Sequence, residues 1–192
     1  MKKLSILLLL IVQVVAYGQS FRFVPGVGIR DAQDSSKGFI VFNFPGMTAD
    51  AIKAAVVAKI PTIYKPVSGR IQPCENNGIT LIASTENNSL FYIGVNAYGW
   101  SQDCGVGGDF TMNIYFKDGK VRYDAPSFQR LYVINSNWTP DRKERNALDS
   151  MKPIYELIDK DYKQIYTILY FHNLIRALNS AVEEAASKPA DW

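Results

Sequence analysis

Histidine and cysteine are almost absent from this chain: of 192 residues one is histidine, His172, and two are cysteine, Cys74 and Cys104. A serine triad, a Cys-His dyad or most general-base work would have to use that single imidazole, which lies inside an apolar helical stretch suited to a structural role. A four-ligand zinc set is out of reach with these residues. Charge of one sign is scarce too, since 21 Lys and Arg stand against 18 Asp and Glu for a formal net charge of +3. Nucleic-acid binding would need clustered basic residues on one face, and no such cluster is evident. Long apolar runs are missing except at the N-terminus, so nothing later approaches the roughly 18 residues of a membrane-spanning helix. The glycine run Cys104-Gly-Val-Gly-Gly-Asp109 lacks the lysine of a phosphate loop, and Asp103 and Asp109 lack EF-hand spacing. Neither a cofactor nor a metal is called for.

The N-terminal run is informative. Lys2 and Lys3 precede an apolar stretch from Leu4 to Ala16, and Ala16-Tyr17-Gly18 stands before Gln19. A basic start, a short apolar middle and small residues at the −3 and −1 positions describe a secretory signal over residues 1–18, cleaved near Gly18. The expectation is an exported protein of the periplasm, the cell surface or the medium, with no membrane span in the mature chain. No cysteine follows the signal to carry a lipid. Cleavage removes two lysines and no acids, which lowers the formal charge from +3 to +1.

Residues 19–37 mix glycine, proline and charge without periodicity and read as a leader arm. An α+β domain is expected over 38–135. It begins with a strand in Phe39-Ile-Val-Phe-Asn-Phe44, followed by Thr48 as N-cap of a helix over Ala49 to Lys59, which Pro61 helps to end. A hairpin is expected between 79–84 and 90–98, around Glu86-Asn87-Asn88-Ser89. A second, between 110–116 and 121–124, turns on Asp118-Gly119, whose positive φ suits a primed turn. Leu131 to Asn135 reads as a last strand, and a short one is expected near Arg70. Phe110, Met112, Ile114 and Phe116 alternate onto one face, which supplies an apolar side for helices to cover. Residues 139–187 read as a helical segment: a charged helix over Asp141 to Met151, a break at Pro153, then a helix from Ile154 to about Ala186. That last helix carries an apolar stripe through Ile154, Ile158, Ile165, Leu169, Ile175, Leu178 and Val182, widened by Tyr155, Tyr162, Tyr166, Tyr170 and Phe171. It would extend about 50 Å, so it either folds back or projects toward a partner.

The order strand, helix, antiparallel meander, terminal helix, together with FNFPGMTADAIKAAV at the first strand-helix junction and FKDGKVRYDAP at Phe116 to Pro126, resembles a family of secreted proteins from Gram-negative gut bacteria. That family is a domain of unknown function with a TATA-binding-protein-like (TBP-like) fold. The resemblance implies a curved antiparallel sheet backed by helices, and it implies no activity.

Two side-chain constellations remain. In an exported chain, an even pair of cysteines usually becomes a disulfide. With a hairpin centred near residues 87 and 88, Cys74 would face residue 101, and a Cys74–Cys104 bridge would close at the hairpin's open end; a reactive thiol is the rival reading. The other constellation is a polar and aromatic set, Tyr92, Asn96, Tyr98, Asn113, Tyr115 and Arg122, on the opposite faces of their strands. Tyrosine offers ring area and a hydroxyl, while Arg122 can clamp a carboxylate or phosphate. Such a face suits a glycan, a peptide or an envelope protein; the alternative is that it stays solvated or lies under the last helix. The leading expectation is therefore a noncatalytic binding module of the bacterial cell envelope. The competing class is a carboxylate-dependent hydrolase acting on cell-wall or carbohydrate material, which requires two acids converging across a cleft. Oligomerisation through the terminal helix is a third expectation.

Overall fold

In chain order the elements are β1 (Phe21–Val24), β2 (Gly28–Asp31), β3 (Phe39–Asn43), α1 (Ala49–Ile63), β4 (Gly69–Cys74), β5 (Gly78–Ser84), β6 (Phe91–Ala97), β7 (Trp100–Lys117), β8 (Lys120–Asp124), β9 (Ser127–Ile134), β10 (Arg145–Ala147) and α2 (Asp161–Ser187). The computed structural model describes residues 19–64, 69–85, 90–97, 100–134, 145–147 and 161–187, with 91–97, 100–104, 133–134, 145–147 and 161–162 described by their backbone alone.

The long strand β7 is the spine of the main sheet. Phe110, Met112, Ile114 and Phe116 are buried on one side of it, as period-two alternation requires. One edge of β7 bonds to β5 and then to β6; the other bonds to β8 and then to β9, all antiparallel. Beyond these, β4 pairs with β5, β3 with β8, and β10 with β9. The hairpin on Asp118-Gly119 forms as the sequence implies, with Lys117 opposite Lys120 and Gly119 at φ +69°.

The other expected hairpin is not formed. β5 and β6 are collinear, with Ser84 opposite Asp109 and Phe91 opposite Val106, so both lie along one edge of β7. β6 pairs instead with the start of β7, with Ala97 opposite Trp100. β4 turns into β5 through Asn76 and Asn77, at φ +56° and +58°, with the Gly78 N–H donating to the Glu75 carbonyl at 3.2 Å. Positive φ at both central residues is the condition for a primed turn, and asparagine meets it more readily than most residues. The glycine run also proves to be strand. Tyr132 and Thr85 press on Gly107, which has room only for hydrogen, while Leu131 and Phe128 lie close over Gly108.

Both helices lie on the apolar side. In α1 the buried residues Ile52, Val56 and Ile60 recur every four positions and face the sheet. Its first turn is capped twice: Thr48 Oγ1 accepts from the Ala51 N–H at 3.2 Å, and Asp118 Oδ1 from the β7–β8 turn accepts from the Ala49 N–H at 2.8 Å. The helix runs past Pro61 to Ile63, because a proline this close to the end removes only one backbone bond. In α2, Phe171, Leu174, Ile175, Leu178 and Val182 are buried against α1 and the sheet. The Phe110 ring is at the centre, meeting Phe171 edge-on at 4.9 Å between centroids and Tyr64, Phe128 and Tyr170 at 6.2 to 6.4 Å. Tyr123, fully buried, donates its hydroxyl to Asn179 Oδ1 of α2 at 2.7 Å, which satisfies both groups.

The segment read as a leader arm carries the β1–β2 hairpin. Phe21 and Ile29 join the core, and Gln19 Oε1 accepts from the Val41 N–H on the outer edge of β3 at 3.0 Å. Within the expected charged helix, residues 145–147 form the strand β10 instead. The expected helix start at Ile154 lies outside the described residues. Among the described residues no helix is long and apolar enough to cross a membrane.

Candidate functional site

Because α1 and α2 share one face of the sheet, the other face is covered by no helix among the described residues. The open side is built from alternate residues of β3, β8, β7 and β5. Arg122 sits directly opposite both Tyr115 and Val41, and Thr80 sits opposite Asn113. The guanidinium carbon of Arg122 lies 3.9 Å from the ring centroid of Phe39 and 5.3 Å from that of Tyr115. Its Nε donates to Asp124 Oδ1 at 2.8 Å. Nη1 and Nη2 have no hydrogen-bond partner among the described residues, and 43 % of the side chain is exposed, so the fork opens to solvent.

The neighbours of Arg122 are ordered as well. Asn113 Oδ1 accepts from Thr80 Oγ1 at 2.8 Å, which leaves the amide nitrogen with its two donors and no partner among the described residues. The Tyr115 ring and the Cys74 sulfur lie over Gly78, where an added Cβ would come within 2.8 Å and 2.6 Å of them. Desolvation first, then Asp124 and Cys74, hold the Tyr115 phenol above its ordinary range, so it stays a neutral hydroxyl. Two exposed lysines, Lys117 and Lys120, continue the same alternation and flank the group at the β7–β8 turn.

Of the six residues expected to form a binding face, the structure gathers Asn113, Tyr115 and Arg122. Tyr92 and Asn96 are registered opposite Gly105 and Ser101, ten and fourteen residues along β7 from Tyr115. At about 3.3 Å per residue they are roughly 33 and 46 Å away. Tyr98 lies outside the described residues. The six therefore do not form one site, and the reason is the missing hairpin: β6 extends β5 instead of folding back beside it. Sequence reasoning overlooked Phe39, Asp124, Lys117 and Lys120. The signal was present, because all four alternate with buried neighbours in β3, β7 and β8.

The expected disulfide is corrected too, for Cys74 is a free thiol. Cys74 is opposite Gly78, which is opposite Tyr115, whereas Cys104 is eleven residues further along β7. That separation is about 36 Å, and a bridge tolerates roughly 7 Å between Cα atoms. Asp109, considered as a calcium ligand, is paired with Arg130, whose Nη2 reaches Asp109 Oδ2 at 2.6 Å. His172 is on the exposed side of α2. A concavity of about 390 Å³ lies between the end of α1 and the first half of α2, lined by Ile63, Tyr64, Leu90, Leu169 and Tyr170 among others. Tyr166 and Leu169 are exposed there, and Ile165, which with Leu169 belongs to the expected apolar stripe, is exposed on the same half of the helix.

No protein-family model and no curated protein matches the chain. Among solved structures it is similar to a TBP-like protein from Parabacteroides distasonis ATCC 8503, at 14 % identity and a TM-score of 0.46, over 76 % of this chain and 90 % of that one. It is also similar to a DUF4468 family protein from Bacteroides ovatus ATCC 8483, at 14 % identity and a TM-score of 0.42, over 79 % of this chain and 88 % of that one. The fold class rests on the strand register and the placement of the helices: an α+β antiparallel sheet backed on one side by two helices, of the TBP-like kind that the sequence resemblance implies.

Proposed function

We propose that this protein is a noncatalytic binding module of the bacterial cell envelope that recognises its partner through the open side of the sheet, around Arg122 and Tyr115. One observation carries the reading. A guanidinium ordered by two rings and a carboxylate keeps its terminal donors free on a face that no helix covers. A side chain already held in place loses less entropy on binding, so its remaining donors contribute more to affinity. The sequence adds the address: a signal over 1–18 directs the chain out of the cytoplasm.

The test is a binding screen of residues 19–192 against envelope glycans, peptides and proteins, run beside Arg122→Ala and Tyr115→Ala. Both side chains are partly exposed, so each variant should keep its stability to within about 0.5 kcal/mol while losing the partner. Loss of folding in both variants would make this corner part of the core and remove the reading. Turnover of a cell-wall substrate that vanishes with one Asp or Glu substitution would put the hydrolase in its place.

A further inference from the structure

Resting on that reading, we propose that the corner formed by Arg122, Lys120, Lys117, Tyr115 and Asn113 binds a saccharide bearing carboxylate groups. Charge sets the sign of the ligand. Three cationic side chains meet two acids, Asp124 on the open face and Asp118 in the turn between the lysines, which keeps its charge while capping α1, so one positive charge is left over. This excess of cations is concentrated on one corner of a chain whose processed form would carry a formal charge of only +1. The Arg122 fork matches a planar carboxylate, and the lysines supply softer, longer-range attraction to neighbouring acids on a chain.

Geometry favours a sugar over a peptide. A peptide commonly binds a sheet by adding a strand to its edge. Here the nearest free edge is β3, and its central outward N–H, that of Val41, is already taken by Gln19. What the corner offers is side-chain chemistry: the partly exposed Tyr115 side chain and its neutral hydroxyl for the sugar, the Asn113 amide nitrogen for a ring hydroxyl, and the guanidinium for the acid. Asn113 and Tyr115 are two residues apart on one face of β7, a spacing of about 7 Å.

The experiment is titration calorimetry of residues 19–192 with trigalacturonate, maltotriose and a triglutamate peptide at low and physiological salt. Trigalacturonate should bind, weakening as salt rises, and maltotriose and triglutamate should not. Arg122→Gln should lower the affinity about tenfold or more, as expected for a lost charged hydrogen-bond pair. The double variant Lys117→Ala/Lys120→Ala should weaken binding less and flatten its salt dependence. Arg130→Gln removes the same charge from the same face, and its strand partner Asp109 is six residues, about 20 Å, from Tyr115, so it should bind as the wild type does. Equal binding of triglutamate, unchanged affinity in Arg122→Gln, or the same loss in Arg130→Gln would overturn the proposal. If no acidic sugar binds but another partner is still lost in Arg122→Ala, the ligand class is wrong and the open-face reading stands. If neither occurs, both fall.

Discussion

The hydroxyls of Tyr64 and Tyr170 meet at 2.8 Å against the Phe110 ring, where α1 ends and α2 passes. Desolvation is the main reason both phenols resist ionisation; Tyr170 is pushed up from 10.0 to about 12, and Tyr64 further still. Because the folded value is the higher one, the neutral phenol is what folding stabilises. That contribution is whole below pH 10 and drains away as the pH climbs through about 12. Denaturant midpoints at several pH values should therefore fall between pH 10 and 12 in the wild type, and fall less in Tyr170→Phe. The same drop in both would assign the alkaline loss to other groups. At this scale the sequence was readable where alternation ran unbroken, as from Phe110 to Phe116. It misled where one signal occurred twice: Glu-Asn-Asn stands at 75–77 and at 86–88, and the tight turn forms at the first. There, Gly78 lets Tyr115 and Cys74 close over the strand, a packing requirement that no local pattern announces.

A strand that crosses three near-adjacent glycines needs something other than propensity to keep it straight. In β7 that support is lateral. Gly105, Gly107 and Gly108 are bonded to β9 on one side, and the Thr85 hydroxyl accepts from the Gly108 N–H at 2.9 Å on the other. A methyl group at position 107 would sit 2.6 Å from Tyr132 Cε2 and 2.8 Å from Thr85 Oγ1. Gly107→Ala is therefore expected to destabilise the fold by about 1–3 kcal/mol, as overpacking does. Chemical denaturation measures this, and a change under about 0.5 kcal/mol, the range of an ordinary surface substitution, would mean the sheet relaxes around it. Helices were easier to read than strands. The buried four-residue spacing of α1 and the Ile175, Leu178 and Val182 part of the α2 stripe were visible as periodicity, because each buries its face against a neighbouring layer, whereas Ile165 and Leu169 of the same stripe are exposed. Strand pairing depends on partners far away in sequence, which is why β5 and β6 looked like neighbours of each other.

Among the described residues of the molecule, stability comes from the apolar side chains packed between the sheet and the helices α1 and α2, with no covalent staple at Cys74. Reducing agent should then leave the thermal midpoint of the exported form within about 1 °C, since only a lost crosslink of about 2–4 kcal/mol would move it further. A larger fall would show that a cysteine bridge does exist in solution. The one-sided arrangement was legible from the alternating strands and the resemblance. The grouping of Tyr115 with Arg122 was legible as well, because a two-residue turn fixes register over a short distance. The split of Tyr92 and Asn96 from that pair was not, for it depends on how β6 continues β5.

The register of β3 also governs when the protein can finish folding. Phe39 must wait for Asp124, 85 residues later, before the strand has its partner in the main sheet. A ribosome or a translocation channel releases the N-terminal end first, so that strand spends most of the chain's emergence unclaimed. Ring closure over such a span is slow compared with forming either helix. The main-sheet partner of β3 is thus in place only once β8 follows the β7–β8 turn, and that turn also carries Asp118 to the start of α1.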